Sequence, residues 1–266
     1  MPKSNIFWFH FPLKKSAPIK KAFEELLKYG VEDISLLENK EEKTITFCGK
    51  ATEKDIPSTW SFLDEPIPIN FEVNWQEQWE LFCPYFNGVL CEIPLSKFIP
   101  KEEETVLLNP GPGFGDLSHP TTYLMMNLLG EFAPNEVLID LGCGSGILGI
   151  TALKIGAKKV YCLDIDQEAL LHTQENALLN NVTNALFIGK TLPVNANPLP
   201  HIVCINMTFE EQKQAIASLP VISNMIWLSS GILESQKEAY LTYMKNLGLT
   251  CKSSTQKDKW LSFIFE

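Results

Sequence analysis

The chain has 266 residues, a net charge of −10 and 45% hydrophobic residues, enough for a catalytic core and a smaller companion domain. This acidic balance provides no basic field for phosphates, so we expect no direct contact with nucleic acid and attraction to a lysine-rich protein instead. No apolar run approaches the roughly 20 residues that span a bilayer, so we expect no membrane contact. The cysteines lack metal-ligand spacing, so we expect no metal and reduced thiols in the cytoplasm. We also expect a monomer.

The first 65 residues predict a small α+β domain. Residues 6–11 form a β-prone aromatic run, and a helix follows with Ser16 as its candidate cap, Pro18 in its first turn and Gly30 at its end. Its predicted apolar face contains Ile19, Ala22, Phe23, Leu26 and Leu27. Two strands are predicted at residues 34–37 and 44–47, across the charged turn 38–43.

Residues 66–100 have a different texture, with prolines at five positions and one short predicted helix. We interpret this stretch as a connector between two domains. Trp75 and Trp79 are four residues apart and share a face of the helix. They either pack the two domains together or stack on a substrate.

From residue 101 onward, apolar strands and helices alternate. Strands are predicted at residues 137–141, 160–163, 185–188, 202–205, 225–228, 250–253 and 260–265, and helices at 123–129, 147–155, 167–179 and 234–247. This alternation predicts an α/β fold with a doubly wound, mainly parallel, seven-stranded sheet. A closing hairpin, which adds one antiparallel strand, distinguishes methyltransferases from dehydrogenases.

Three candidate site segments follow three of these strands. Ligands bind beyond the carboxyl ends of parallel strands, where residues 142–146, Asp164 and Asn206 all fall. The glycines of residues 142–146 permit a tight turn and close approach of a ligand, and Asp164 can accept hydrogen bonds from both hydroxyls of a ribose. Asp166 is the better helix cap, which leaves Asp164 available. Each feature alone is compatible with a structural turn. A dinucleotide-binding site is a further alternative, although the third glycine comes one residue earlier than in the usual Gly-x-Gly-x-x-Gly pattern.

Residues 109–122 form a loop rich in glycine and proline that leads into a predicted helix. Such loops are often lids or binding loops, and the alternative is a structural linker. His119 is a candidate general base or, next to Pro120, a capping and packing histidine.

Several segments together resemble a known family. His119-Pro120-Thr121-Thr122, residues 139–148 around the glycines, residues 163–166 and residues 228–233 are similar to the bacterial methyltransferases of the eleventh large-subunit ribosomal protein, the PrmA family. The resemblance covers roughly residue 75 to the end. It implies a class I methyltransferase domain that uses S-adenosyl-L-methionine, and a small N-terminal domain that recognises the ribosomal protein. It also implies methyl transfer to lysines and the N-terminal amine of that protein.

The resemblance also implies site residues. Carried over by position, its cofactor contacts are Thr122, Gly142, Asp164 and Asn206. The further predicted cofactor-binding residues, which belong to the same segments of this sequence, are Asp140, Gly144, Gly146 and Ile165. The predicted catalytic residues are Asn206, as the group that orients the amine, and His119. Because the family transfers methyl groups by in-line displacement, alignment of an unprotonated amine is the main requirement and no dedicated base is demanded.

The chain departs from the family at the wall that faces the amine. Asn109 replaces an aspartate, Asp116-Leu117-Ser118 replaces Thr-Gly-Thr, and Met207-Thr208 replaces Ile-Leu. The cofactor pocket is preserved better than this wall. A methyltransferase with another protein or small-molecule substrate, or a cofactor-binding relative without catalysis, therefore remains an alternative.

Overall fold

The computed structural model describes residues 6–39, 44–52, 56–57, 59–68, 75–100, 102–219 and 225–266. The chain divides into two compact units, Met1–Val73 and Asn74–Glu266. Within the described ranges, no helix is long and apolar enough to cross a membrane. Part of the charged turn, residues 40–43, lies outside the described residues.

The first unit is a four-stranded antiparallel sheet with one helix. Its elements are β1 (Ile6–Pro12), α1 (Ile19–Lys28), β2 (Glu32–Asn39), β3 (Thr44–Thr52) and β4 (Ile67–Pro68), with sheet order β2-β3-β1-β4. Ala22 and Leu26 of α1 are buried, whereas the other predicted apolar residues of the helix are partly exposed. The predicted cap is wrong: Pro18 occupies the N-cap position without a side-chain bond, and Ser16 lies before it with φ +68°.

The second unit contains the remaining elements. The strands are β5 (Cys91–Pro94), β6 (Thr105–Leu108), β7 (Val137–Leu141), β8 (Lys159–Leu163), β9 (Leu186–Gly189), β10 (Ile202–Asn206), β11 (Ile226–Leu233), β12 (Cys251–Lys257) and β13 (Trp260–Phe265). The helices are α2 (Trp75–Phe82), α3 (Pro120–Phe132), α4 (Ile147–Lys154), α5 (Gln167–Leu179), α6 (Phe209–Ala217) and α7 (Lys237–Asn246).

Seven strands of this unit form one sheet in the order β12-β13-β11-β10-β7-β8-β9. β13 is antiparallel to both of its neighbours, and strands β11, β10, β7, β8 and β9 run parallel. Neighbouring residues of β7 face opposite cores, since Leu138 packs with α3 and α4 while Ile139 packs with α6 and α7. The predicted doubly wound, mainly parallel sheet with a closing antiparallel hairpin is confirmed.

The predicted connector is only partly a connector, because its second half belongs to the core of the second unit. Trp79, Cys83, Cys91 and Ile93 are buried in the cluster that covers one face of the seven-stranded sheet. β5 pairs with β6 in a two-stranded sheet that the sequence analysis did not predict. Trp79 packs inside this unit, while the stacking hypothesis for the side chain of Trp75 lies outside what the structure describes.

A bulge in β11 brings the strand against the segment that follows β10. The register shifts between Ser230 and Ile232, and Gly231 at the bulge has φ +95°. A Cβ atom at Gly231 would lie 2.0 Å from the carbonyl oxygen of Met207. The close approach of these two main chains therefore requires glycine at position 231.

We predict that Gly231→Ala lowers the free energy of unfolding by about 3 kcal/mol or more, because the new methyl group meets backbone atoms that cannot rotate away. Gly248→Ala is the matched control. Gly248 also has positive φ (+85°), but a Cβ atom there would meet nothing within 4 Å, so this variant should lose only about 1 kcal/mol. Urea denaturation measures both variants, and equal losses would contradict the steric argument.

Candidate functional site

The sheet order places three predicted site segments side by side. β10, β7 and β8 are neighbours and run parallel, so their carboxyl ends share one edge of the sheet. Gly142 follows β7, Asp164 follows β8, and Asn206 ends β10. The structure therefore brings the glycine segment, the acid and the amide together, as the sequence predicted.

The segment of residues 142–146, here called the glycine turn, connects β7 to α4. Gly142, Gly144 and Gly146 have φ of +76°, +56° and +80°, in the left-handed region that glycine adopts without strain. The amides of Gly142 and Cys143 donate to the carbonyl oxygen of Leu163, at 2.7 and 3.1 Å. The turn thus folds back toward the end of β8 and carries the chain into the N-terminus of α4.

Residues 109–119, here called the crossing loop, pass directly over the glycine turn. Ser145 donates its amide to the Phe114 carbonyl at 2.9 Å and its hydroxyl to the Gly115 carbonyl at 2.8 Å. A Cβ atom at Gly113 would lie 2.4 Å from the carbonyl carbon of Gly144, so the two backbones touch without room for a side chain. The glycine content of the loop therefore serves this close packing.

Asp164 is held at the edge of the site by two backbone amides. Its carboxylate accepts from Gly144 at 3.1 Å and from Asp166 at 3.0 Å. Asp166 caps α5 through a bond from the Glu168 amide at 3.0 Å, which confirms its predicted role as the cap. Asp164 therefore keeps lone pairs for a ligand. Ile165 beside it is 86% exposed, which leaves a large apolar side chain in solvent at the same edge.

Two predicted site residues carry buried polar atoms without a hydrogen-bond partner among the described residues. These atoms are Oδ1 of Asn206 and Oγ1 of Thr122. Buried polar atoms are rarely left unpaired, since each costs about 1–3 kcal/mol. The indole nitrogens of Trp60 and Trp227 also lack a partner among the described residues, so the contacts of Thr122 and Asn206 with a cofactor or its acceptor stay predictions.

Asp140 lies below the glycine turn instead of on its surface. The side chain is buried, and its carboxylate accepts from the Gly149 amide at 3.0 Å in the first turns of α4. Burial raises the pKa of Asp140 to about 7, although the Gly149 bond opposes this effect. The structure gives Asp140 a supporting contact, and its predicted contact with the cofactor stays a prediction.

His119 caps α3 and packs between two aromatic rings. Its Nδ1 lies 2.8 Å from the Thr121 hydroxyl, and its ring centroid lies 5.6 Å from that of Phe114 and 4.7 Å from that of Trp260. Burial and the charge of Lys259 hold the pKa of His119 below its usual value, which favours the neutral ring. The capping and packing interpretation therefore has direct support, and the role of general base stays a prediction.

Trp260 belongs to this edge, and the sequence analysis missed it. β13 runs antiparallel to β11, so its first residue lies at the edge where the parallel strands end. No pattern near Trp260 signals a site. The sheet topology alone identifies it.

The altered wall has defined local contacts. Met207 lies against the glycine turn, since a Cβ atom at Gly142 would be 2.5 Å from its sulfur. The carboxylate of Asp116 accepts from the amide and hydroxyl of Ser118 at 2.9 and 2.6 Å. Asp116 thus stabilises its own turn of the crossing loop.

Comparison with known proteins identifies similar chains. The family model described as ribosomal protein L11 methyltransferase (PrmA) matches residues 23–266. The ribosomal protein L11 methyltransferase of Acinetobacter baumannii strain SDF is 38% identical over 144 residues, which are 53% of this chain and 46% of that protein. The corresponding protein of Glaesserella parasuis serovar 5 is 34% identical over 194 residues, which are 70% of this chain and 65% of that protein.

A solved structure shows the shared fold. The ribosomal protein L11 methylase of Lactobacillus delbrueckii subsp. bulgaricus has a TM-score of 0.56 at 24% identity, over 66% of this chain and 97% of that chain. The chain spans about half the length of the first curated relatives that it matches.

The buried carboxyl group of Asp140 predicts a distinct pH dependence of stability. With its pKa raised from 3.8 to about 7, the folded protein keeps a proton that the unfolded chain releases. The free energy of unfolding should therefore fall as the pH rises from 4 to 7, by at most about 1.4 kcal/mol per pH unit. Asp140→Asn should remove this part of the slope.

The control for this prediction is Asp258→Asn, in the exposed turn between β12 and β13. Urea unfolding at several pH values measures all three proteins. If the free energy of unfolding of Asp140→Asn depends on pH as steeply as that of the wild type and of Asp258→Asn, the proton is not held at position 140.

Proposed function

The chain belongs to the ribosomal protein L11 methyltransferase family, and from this premise we propose that it transfers methyl groups from S-adenosyl-L-methionine to amines of ribosomal protein L11. The observation that carries the proposal is the edge of the sheet where the glycine turn, Asp164 and Asn206 meet. Lysine side chains and the N-terminal amine are the proposed acceptors.

The described residues fit the cofactor at this edge. Asp164 would accept hydrogen bonds from its ribose hydroxyls, and the glycine turn, which follows β7 at the same edge of the sheet, would lie beside its methionine end. The unpaired oxygens of Thr122 and Asn206 would receive its polar groups or those of the acceptor. The exposed apolar side chain of Ile165 would cover one face of its adenine. When bound, the cofactor supplies an electrophilic methyl group.

The residues of the chain have to hold an unprotonated amine in line with that methyl group. Deprotonation of a free lysine at pH 7 costs about 4–5 kcal/mol, and a desolvated site supplies part of this energy. The buried Oδ1 of Asn206 can accept a hydrogen bond from the amine and orient its lone pair. The crossing loop, which carries Phe114 in its middle and neutral His119 at its end, would exclude water from the same space.

We propose that residues 1–65 recognise the protein substrate, as the family resemblance implies, and that the cofactor site lies within the second unit. Transfer to another protein or to a small molecule is the alternative within the same class. A cofactor-binding relative without catalysis is the alternative from another class. Both alternatives are retained because Asp116, Met207 and Thr208 differ from the residues of the family at the wall proposed to face the acceptor.

We predict that Asp164→Ala weakens binding of S-adenosyl-L-methionine about 100-fold, because it removes two hydrogen bonds to a charged acceptor, each contributing about 1.5 kcal/mol. The matched control is Asp166→Ala, two residues away, which removes only the cap of α5. That variant should lose about 1 kcal/mol of stability and bind the cofactor nearly as wild type does. Calorimetry measures both, and equal affinities for the two variants would place the ribose elsewhere.

We predict that the full chain transfers label from S-adenosyl-L-methionine to purified ribosomal protein L11, and that Asn206→Ala lowers kcat about 100-fold by removing the group that orients the amine. The control is Ser218→Ala, which removes an exposed hydroxyl that bonds only the Ala215 carbonyl at the far end of α6. Filter-bound label measures transfer. Cofactor binding without label on L11, on other proteins or on small molecules would favour the non-catalytic relative.

A further inference from the structure

Helix α5 presents a row of buried polar side chains to the main chain that precedes and begins the crossing loop. These side chains are His172 and Asn176 of the helix and Asn180 at its C-cap. Asn180 accepts from the Leu107 amide at 2.9 Å and donates to the Leu107 carbonyl at 2.6 Å. Asn176 accepts from the Asn109 amide at 2.8 Å. The helix thus satisfies the backbone groups of residues 107–109 that a further strand would otherwise pair.

The same helix also holds the glycine turn. Asn176 donates to the Ser145 carbonyl at 2.9 Å, and Thr173 donates to the Gly144 carbonyl at 3.0 Å. One amide side chain therefore bonds both the crossing loop and the turn beneath it. Movement of the loop away from α5 would separate these two layers.

His172 makes the contact farthest along the loop, and it uses both ring nitrogens. Nδ1 accepts from the Gly113 amide at 3.0 Å, so this nitrogen carries no proton. Nε2 lies 2.8 Å from the Asn109 carbonyl and must donate to it. The hydrogen bonds therefore select the neutral ring with its proton on Nε2. Gly111 packs on the ring, since a Cβ atom there would lie 2.6 Å from Nε2.

We propose that His172 is a positioning residue, which in its neutral form with the proton on Nε2 holds residues 109–113 of the crossing loop on the glycine turn. This contact of His172 with Asn109 and Gly113 is here called the latch. Protonation of Nδ1 would set two donors, Nδ1–H and the Gly113 amide, against each other and release the loop. Cofactor affinity would then fall with acidification. This inference rests on the proposed function.

The surroundings of His172 support a neutral ring at pH 7. Burial lowers the pKa of His172, while the Asn109 carbonyl and the charge of Glu175 on the same helix oppose this effect. From α2 the ring meets Trp79, edge to face at 6.2 Å between centroids. From the crossing loop it meets backbone groups and Gly111. Because the folded-state pKa lies below 6.5, the neutral contact is complete at pH 7 and is lost only as the pH falls through that lowered value.

The test is the affinity of the full chain for S-adenosylhomocysteine, measured by calorimetry from pH 8 to pH 5. For the wild type we expect a constant Kd above pH 7 and a rise of about tenfold per pH unit once the pH is below the pKa of His172. His172→Gln can donate through its amide nitrogen and accept through its oxygen without titrating. It should bind as the wild type does at pH 8 and lose much less affinity than the wild type in acid, because only Asp140 and His119 of the site then titrate. His172→Phe should bind weakly at every pH.

His201→Gln is the matched control, because it removes an exposed imidazole paired with Glu136 on the surface and should follow the wild type. Thermal melts at each pH confirm that every variant is folded during the measurement. An acid-dependent loss as large in His172→Gln as in the wild type, or wild-type affinity in His172→Phe, would overturn the proposal.

A second measurement needs no ligand, so it separates this inference from the proposed function. Nitrogen-15 NMR of the histidine rings should show His172 neutral with its proton on Nε2 at pH 7, and the Gly113 amide should be protected from exchange until His172 titrates. If these signals are as expected and S-adenosylhomocysteine does not bind at pH 8, the proposed function fails and the latch stands. A proton on Nδ1, or a Gly113 amide that exchanges freely at pH 7, would refute the latch itself.

Discussion

The contact between the crossing loop and the glycine turn is the constraint on which the rest of the site depends. Two main chains pass each other where Gly113 lies on Gly144, at a distance that admits no Cβ atom on either side. The Ser145 hydrogen bonds to the Phe114 and Gly115 carbonyls fix the crossing. Because Gly144 also donates to Asp164, any displacement of the loop acts on the acid proposed to bind ribose. The site is therefore a single backbone assembly, in which side chains mainly hold main chains in place.

Burial sets the protonation states in this assembly. Removal of water disfavours charge, so His119 and His172 have lowered pKa values and Asp140 has a raised one. Burial thus favours the uncharged form of each of these three side chains. The same low dielectric makes unpaired polar atoms costly, which gives the orphaned oxygen of Asn206 a strong preference for a bound partner. If the proposed transfer takes place at this edge, the same desolvation favours the unprotonated form of the acceptor amine.

Local sequence patterns predicted most strands and helices of the second unit and part of its candidate site. The apolar run of β7 followed by glycines, and the Asp166 cap of α5, each carry their signal within a few residues, and the structure agrees. β5 was missed because it is a short strand that contains Pro94, and the proline-rich texture around it resembles a linker. α6 had a readable signal, since Thr208 and Glu211 form a capping box. Trp260 and His172 could not be found this way, because their contacts join segments far apart in sequence.

The residues of the altered wall need not move the side-chain amide of Asn206, which we propose faces the acceptor. The turn after β10 is held through its backbone: the Met207 carbonyl accepts from Gln212 at 2.9 Å and lies against Gly231. Gln212 also donates to the Ser230 carbonyl at 2.7 Å and accepts from the Tyr240 hydroxyl at 2.6 Å, all in the buried core. These bonds specify no side chain at positions 207 and 208. Methionine and threonine in place of aliphatic residues therefore change the shape of the wall while Asn206 keeps its place. For the proposed transferase, a change of substrate selectivity follows from these residues more directly than a loss of catalysis.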